Sequence, residues 1–166
     1  MITAPTGHKT LKEMPAHARV WVYKSARTFG KAEQRYIREQ GAVFCAEWAA
    51  HGAPLDATVE VLHDRFVVVA VDEVQAQASG CSIDKSIGFI KDLEFQLNQM
   101  LTDRMIVVHE GADGIQCCTV QDVPQLIARG EMGADTIVYD DLVATVGDLE
   151  ERFRIPLKES WLSRYL

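Results

Sequence analysis

Long apolar runs are missing from this sequence: the longest, Phe66 to Val71, is six residues, against the roughly 20 a helix needs to cross a bilayer. Membrane insertion is therefore not expected. Positive charge is scarce as well. Lys and Arg number 17 against 24 Asp and Glu, giving a net charge of −7 with no basic cluster, which argues against a nucleic-acid partner or an anionic membrane surface. The four cysteines, Cys45, Cys81, Cys117 and Cys118, lack any C-x-x-C spacing and are expected to be free thiols in a reducing compartment. No two of His8, His17, His51, His63 and His109 stand at i, i+4 spacing, and Cys117 and Cys118 should point to opposite faces of a strand, so no metal is expected. No cofactor is expected either. The opening "MITAPTGHKTLKEMPAHA" has no apolar core of the kind a secretory signal needs, which predicts a cytoplasmic protein. Residues 1–17 read as a flexible leader.

What is present is an ordinary core-forming composition, with 48% hydrophobic residues, enough for one domain. "RVWVYK" (19–24) alternates and reads as a strand. Phe29, Tyr36, Ile37, Val43, Phe44 and Trp48 recur at helical spacing, with Gly52 and Pro54 as a stop. "ATVEVLHDRFVVVAVDE" (57–73) reads as two strands turning at His63 and Asp64, the second nearly all apolar and so central. Ile83, Ile87, Ile90, Leu93, Leu97 and Leu101 form one face of a second long helix, with Ser82 as its N-cap and Asp84 in its first turn. "RMIVVHE" and "IQCCTV" flank the turn "GADG" and form a hairpin. A short helix follows over 122–129, then a strand in "DTIVYDDL". Thr145 and Asp148 then open a further short helix. The order through residue 110 is β-α-β-β-α-β. The expected fold class is thus α+β: a split, ferredoxin-like antiparallel sheet with two long helices over 18–110, plus a small β-β-α-β extension over 111–166.

Taken whole, the chain resembles a family of small uncharacterised bacterial proteins that are sometimes labelled "ABC transporter ATPase". The resemblance runs through "ARVWVY", "FCAEWAAHGAPL", "RFVVVAVDE", "ASGCSIDKSIGFIKDLE", "DTIVYDDLVAT" and "SWLSRYL". The label implies ATP binding, which by that route needs G-x-x-x-x-G-K-[ST]. Here Gly30-Lys31 has Ser25 in place of the first glycine and Ala32 in place of the hydroxyl residue, so the phosphate cradle is missing. Asp72-Glu73, at the end of an apolar strand, only mimics a Walker B segment. Residues 120–142, "VQDVPQLIARGEMGADTIVYDDL", are similar to the helix-turn-strand of GYF-like peptide-binding domains through Gln125, Leu126, Ile127, Gly130, Asp135, Thr136 and Val138. That similarity implies peptide binding, although Tyr139 stands where those domains usually carry Trp.

The expected topology gathers Trp48, His51, Asp72, Glu73, Cys81, Ser82, His109 and Glu110 at one edge of the sheet. A thiol at a helix N-terminus beside two imidazoles is the raw material for a nucleophile and its base, so Cys81 with His51 or His109 is a candidate catalytic pair. Ser82 as a cap and Cys81 as packing is the plainer reading of the same residues. Trp48, Asp72, Glu73, Ser79, Gly80, Ser82 and Asp84 are the candidate ligand-binding residues. The expectation is a non-enzymatic module that binds a protein or small molecule, the alternative being a thiol-dependent enzyme with Cys81 as nucleophile. "SWLSRYL", over 160–166, carries residue types enriched at interfaces and is a candidate homodimer contact.

Overall fold

A computed structural model describes residues 9–74 and 76–166. The chain is mixed helix and sheet, arranged in layers. Strand β1 (Arg19–Lys24) leads to helix α1 (Lys31–Glu47), a two-rung hairpin of β2 (Ala49–Ala50) and β3 (Ala53–Pro54), and then β4 (Asp56–Leu62) and β5 (Phe66–Asp72). The turn between β4 and β5 is made by His63 and Asp64, both at positive φ (50° and 58°), the sign pattern of the type I′ turn that suits a twisted hairpin. These strands form an antiparallel sheet in the order β1-β5-β4. Every residue of β5 is buried, because the sheet is covered on both faces. Val67, Val69 and Val71 face a core shared with α1 and helix α2 (Gly80–Leu97), while Phe66, Val68 and Ala70 face a second core.

The second sheet covers that other face. It comprises β6 (Ile106–Gly111), β7 (Gly114–Thr119), β8 (Ile137–Tyr139) and β9 (Arg154–Pro156), in the order β7-β6-β8-β9. Val108 packs inward against the first sheet, and Val107 packs outward with helix α3 (Val123–Ala128) and the C-terminal turns. Helix α4 (Val146–Arg152) begins at Thr145, whose hydroxyl accepts the Asp148 amide at 3.1 Å, as its sequence pattern indicates.

Several expectations need correction. The strand expected to complete a four-stranded ferredoxin-like sheet is β6, and it lies in the second sheet. Its hairpin with β7 and its pairing with β8 supply ladder partners on both of its edges, so pairing with β1 would sacrifice one of them. Residues 106–110 therefore belong with the C-terminal part of the chain. The cap of α2 is Ser79 and not Ser82. Ser79 Oγ accepts the Ser82 amide at 3.2 Å while Ser82 Oγ accepts the Ser79 amide at 2.6 Å, which satisfies two helix-end amides where Ser82 alone would satisfy one. The buried face of α1 is Ile37, Gly41 and Cys45, and Val43 is 54% exposed. Of the expected leader, residues 1–8 lie outside the described residues. Met14 and Ala18 are buried in the second core, and Lys9 Nζ lies 2.9 Å from Asp56 and 3.4 Å from Asp72.

Candidate functional site

The expected edge is split in two by the departure of β6. On one side, α1 and α2 are joined where Trp48 Nε1–H donates to the Ser82 carbonyl at 2.8 Å. Trp48 is 2% exposed and packs against Phe44 (ring centroids 5.1 Å apart), which stacks on Phe89 (4.6 Å). Trp48 thus serves the core. Asp72 Oδ1 accepts the Val74 amide at 3.1 Å, and Lys9 and His17 stand beside the carboxylate. Burial pushes the Asp72 carboxyl upward, but that amide, Lys9 and the neighbouring His17 hold it below its ordinary value. Glu73 Oε2 accepts the Ala78 amide at 2.9 Å and fixes the loop that enters α2. Cys81, Gly80 and Asp84 are exposed on the first turns of α2, and His51 is exposed at positive φ in the β2–β3 turn.

His109 and Glu110 belong to the other side. By strand alternation His109 shares the outward face of Val107, so the first sheet stands between it and α2. It is buried, with Nδ1 3.2 Å from the Glu110 carbonyl. Glu110 takes two hydrogen bonds from Arg154, at 2.6 and 2.8 Å, and one from the Tyr139 hydroxyl at 3.0 Å. Arg154 chiefly holds its carboxyl below the usual range. Among the described residues Cys81 makes no hydrogen bond to His51 or His109. Burial raises the other thiols, Cys45 to about 12 and Cys118 to about 11. Among the described residues no cluster of three or more His, Cys, Asp and Glu could hold a metal ion.

A sizeable concavity lies elsewhere, along β1. A groove of about 710 Å³ has Val20 to Lys24 along its floor. One wall is Ile83, Ile87 and Lys91 of α2; the other is Leu142 and Val143 with Trp161, and Leu101 to Arg104 close one end. Ile83 and Ile87 continue the apolar stripe of α2 that is buried further along at Ile90, Leu93 and Leu97, yet Ile87 is 38% exposed and Leu142 68%. Trp21 and Tyr23 are half-buried, and burial raises the Tyr23 hydroxyl above its ordinary value. At the closed end the buried Lys24 ammonium meets Asp141 at 2.8 Å and ties the two sheets together.

At its start the outer edge of β1 is already bridged, Arg19 pairing with Thr145 while the Val146 amide donates to the Ala18 carbonyl, and among the described residues only the stretch around Val22 is left without a partner. The Val20 amide donates outward to the Ala144 carbonyl at 3.0 Å, and the Lys24 amide donates outward to the Leu101 carbonyl at 3.3 Å. Even-numbered residues therefore turn their backbone groups away from β5. Val22 lies midway, with its N–H and C=O aimed into the groove and unpaired among the described residues. None of the residues expected to bind or react lines this groove. The visible signals for it were the alternating "VWVYK" and the two extra isoleucines at the head of the α2 stripe, but only the pairing of β6 reveals that Val22 is left without a partner among the described residues. No protein-family model, no curated protein and no solved structure matches the chain.

Proposed function

We propose that this chain is a non-enzymatic binding module that takes a protein or small-molecule partner in the groove along β1. The observation that carries this reading is an apolar groove, in the size range of ligand sites, whose floor is a strand edge with one unused backbone donor and one unused acceptor, both at Val22. The residues expected to bind act behind the wall: Ser79, Ser82, Glu73 and Trp48 fix the first turn of α2, and that turn sets Ile83 and Ile87 in place. The similarity of residues 120–142 to GYF-like domains agrees with a peptide ligand, and this segment reaches the groove through Asp141 and Leu142. A homodimer contact through 160–166 competes for the same surface, because Trp161 forms part of the groove wall while Arg164 lies 5.2 Å from its ring.

The alternative, a thiol-dependent enzyme, rests on the exposed Cys81 and needs a base brought to it. The two readings separate in a paired capture experiment. Wild type, Ile87→Glu and Cys81→Ser are immobilised, exposed to lysate, and the bound species quantified by mass spectrometry after thermal melts show equal stability. The binding-module reading expects Cys81→Ser to retain what wild type captures and Ile87→Glu to lose it. Loss in Cys81→Ser with retention in Ile87→Glu would overturn it in favour of the thiol.

A further inference from the structure

We infer that the groove takes an extended polypeptide segment of a partner protein, which adds to β1 as a further strand of the first sheet and carries acidic side chains toward Lys91 and Arg104. The inference rests on the groove being the binding site and specifies its occupant.

The backbone geometry argues for a strand. The chain uses its own carbonyls, those of Ala144 and Leu101, to pair the outward amides of Val20 and Lys24. Between them Val22 presents one donor and one acceptor on the same edge, the pair an incoming extended residue satisfies with its own C=O and N–H. With Val20 and Lys24 already paired, the free stretch of edge runs from Trp21 to Tyr23, about 7 Å at about 3.3 Å per residue, room for one rung of pairing centred on Val22. A segment laid there sends alternate side chains to opposite faces of the sheet. One set meets Trp21, Tyr23, Ile83 and Ile87, and the other meets Val20, Leu142 and Val143, so apolar residues suit both sides.

The charges of the groove set the remaining preference. Lys24 is committed to Asp141, while Asp103, which accepts the Met105 amide at 2.9 Å, keeps its negative charge and offsets one of the two other cations that line the groove. Lys91 and Arg104 are exposed and enter no ion pair among the described residues. On a chain whose net charge is −7, this local excess of unpaired positive charge favours an acidic segment. Recession excludes pairing of two copies through β1 itself. The β1 edge lies at the bottom of a walled groove, and two such floors cannot come within the roughly 4.8 Å that strand pairing requires. A single extended chain fits between the walls.

The test begins by selecting a displayed library of short random peptides on the full-length protein, with counter-selection on Ile87→Glu. Enriched peptides are expected to alternate apolar residues and to carry Asp or Glu, and Lys91→Glu combined with Arg104→Glu should turn that preference toward Lys and Arg. Amide hydrogen exchange followed by NMR then reads the mode of binding. The selected peptide should slow exchange of the Val22 amide by about tenfold or more, in keeping with one new backbone hydrogen bond, and should leave Val20 and Lys24 little changed. Val22→Pro removes the outward donor without touching the bonds to β5, as proline is accommodated on sheet edges, and should bind the peptide at least about tenfold more weakly. Should that variant misfold, exchange at Val22 in the wild type decides. A peptide that shifts the resonances of Ile83, Ile87 and Leu142 without slowing Val22 exchange overturns strand addition and leaves the groove as a binding site. Failure to enrich any groove-dependent peptide overturns strand addition too, and the paired capture experiment then judges the groove alone.

Discussion

Two glycines sit inside long helices, and replacing each by alanine should have opposite effects. In a helix interior, alanine gains about 1 kcal/mol over glycine because it restricts the unfolded chain and leaves less backbone exposed. Around Gly88 an added Cβ would meet nothing within 4 Å, so Gly88→Ala should deliver that gain. At Gly41 the added Cβ would lie 2.6 Å from Val59 Cβ and 2.9 Å from its Cγ1. Val59 Cβ is anchored to β4, and no rotamer change moves it. The helix must therefore lift off the sheet, and overpacking of this kind costs about 1–3 kcal/mol. With the upper end of that range appropriate to a clash between two backbone-anchored atoms, Gly41→Ala should destabilise by about 2 kcal/mol after the helix gain is subtracted. At about 2–4 °C per kcal/mol for a chain of this size, the melting temperature should fall by about 4–8 °C for Gly41→Ala and rise by about 2–4 °C for Gly88→Ala. Scanning calorimetry on the two variants checks this. If Gly41→Ala melted higher than wild type, α1 would not rest on Val59, and the layer order described above would be wrong.

Asp141→Ala strands the buried Lys24 ammonium and should cost about 3 kcal/mol, read by denaturant unfolding; Lys24→Met in the same background should recover much of the loss, and no recovery would mean the pair is not what Asp141 supports. Glu33 accepts two hydrogen bonds from Arg27, both 2.8 Å, and one from the Gly30 amide, which hold its carboxyl at about 2. A folded-state value below the unfolded one gives stability that is present above about pH 4.3 and lost as pH falls through 2. Glu33→Gln should therefore lower the melting temperature at pH 7, the gap closing toward pH 2 and narrowing in high salt; a gap that persists at pH 2 would assign the effect to packing. Alkylation of the native protein should modify the exposed Cys81 first and Cys45 last, since Cys45 is buried and pushed up to about 12; rapid modification of Cys45 in peptide mass spectrometry would contradict the packing of α1.

Local signals carried most of the secondary structure. Alternation marked β1, helical spacing marked α2, and the Thr145–Asp148 pattern marked the start of α4, because caps and periodicity act over a few residues. The errors arose where a second partner, near or far along the chain, decides. Ser79 and Ser82 are equally good caps on paper, and the choice follows from the reciprocal bonds between them. Val43 fits a helical stripe, but Gly41 lets β4 approach from a different angle, so the buried face turns toward Gly41 and Cys45. The pairing of β6 is decided by β7 and β8, of which β8 lies some 30 residues further along the chain, and periodicity within β6 does not encode it. The groove was illegible for the same reason, since β6, expected beside β1, pairs elsewhere and leaves Val22 without a partner among the described residues. Cys81 and its neighbours drew attention through residue type, a helix N-terminus and an expected convergence at one sheet edge, while the residues that shape the groove are mostly aliphatic and aromatic and carry no chemical signature.

Between the Ala144 and Leu101 carbonyls the outer edge of β1 is free at Val22 and ready to pair. Amide exchange in the free protein, measured by NMR at residues 20–24, tests it most directly. Exchange should be slow at Trp21 and Tyr23, whose amides face β5, intermediate at Val20 and Lys24, which are held by the Ala144 and Leu101 carbonyls, and fast at Val22. Protection of Val22 equal to that of Trp21 would mean that this edge is already covered in the free protein, and would contradict the account.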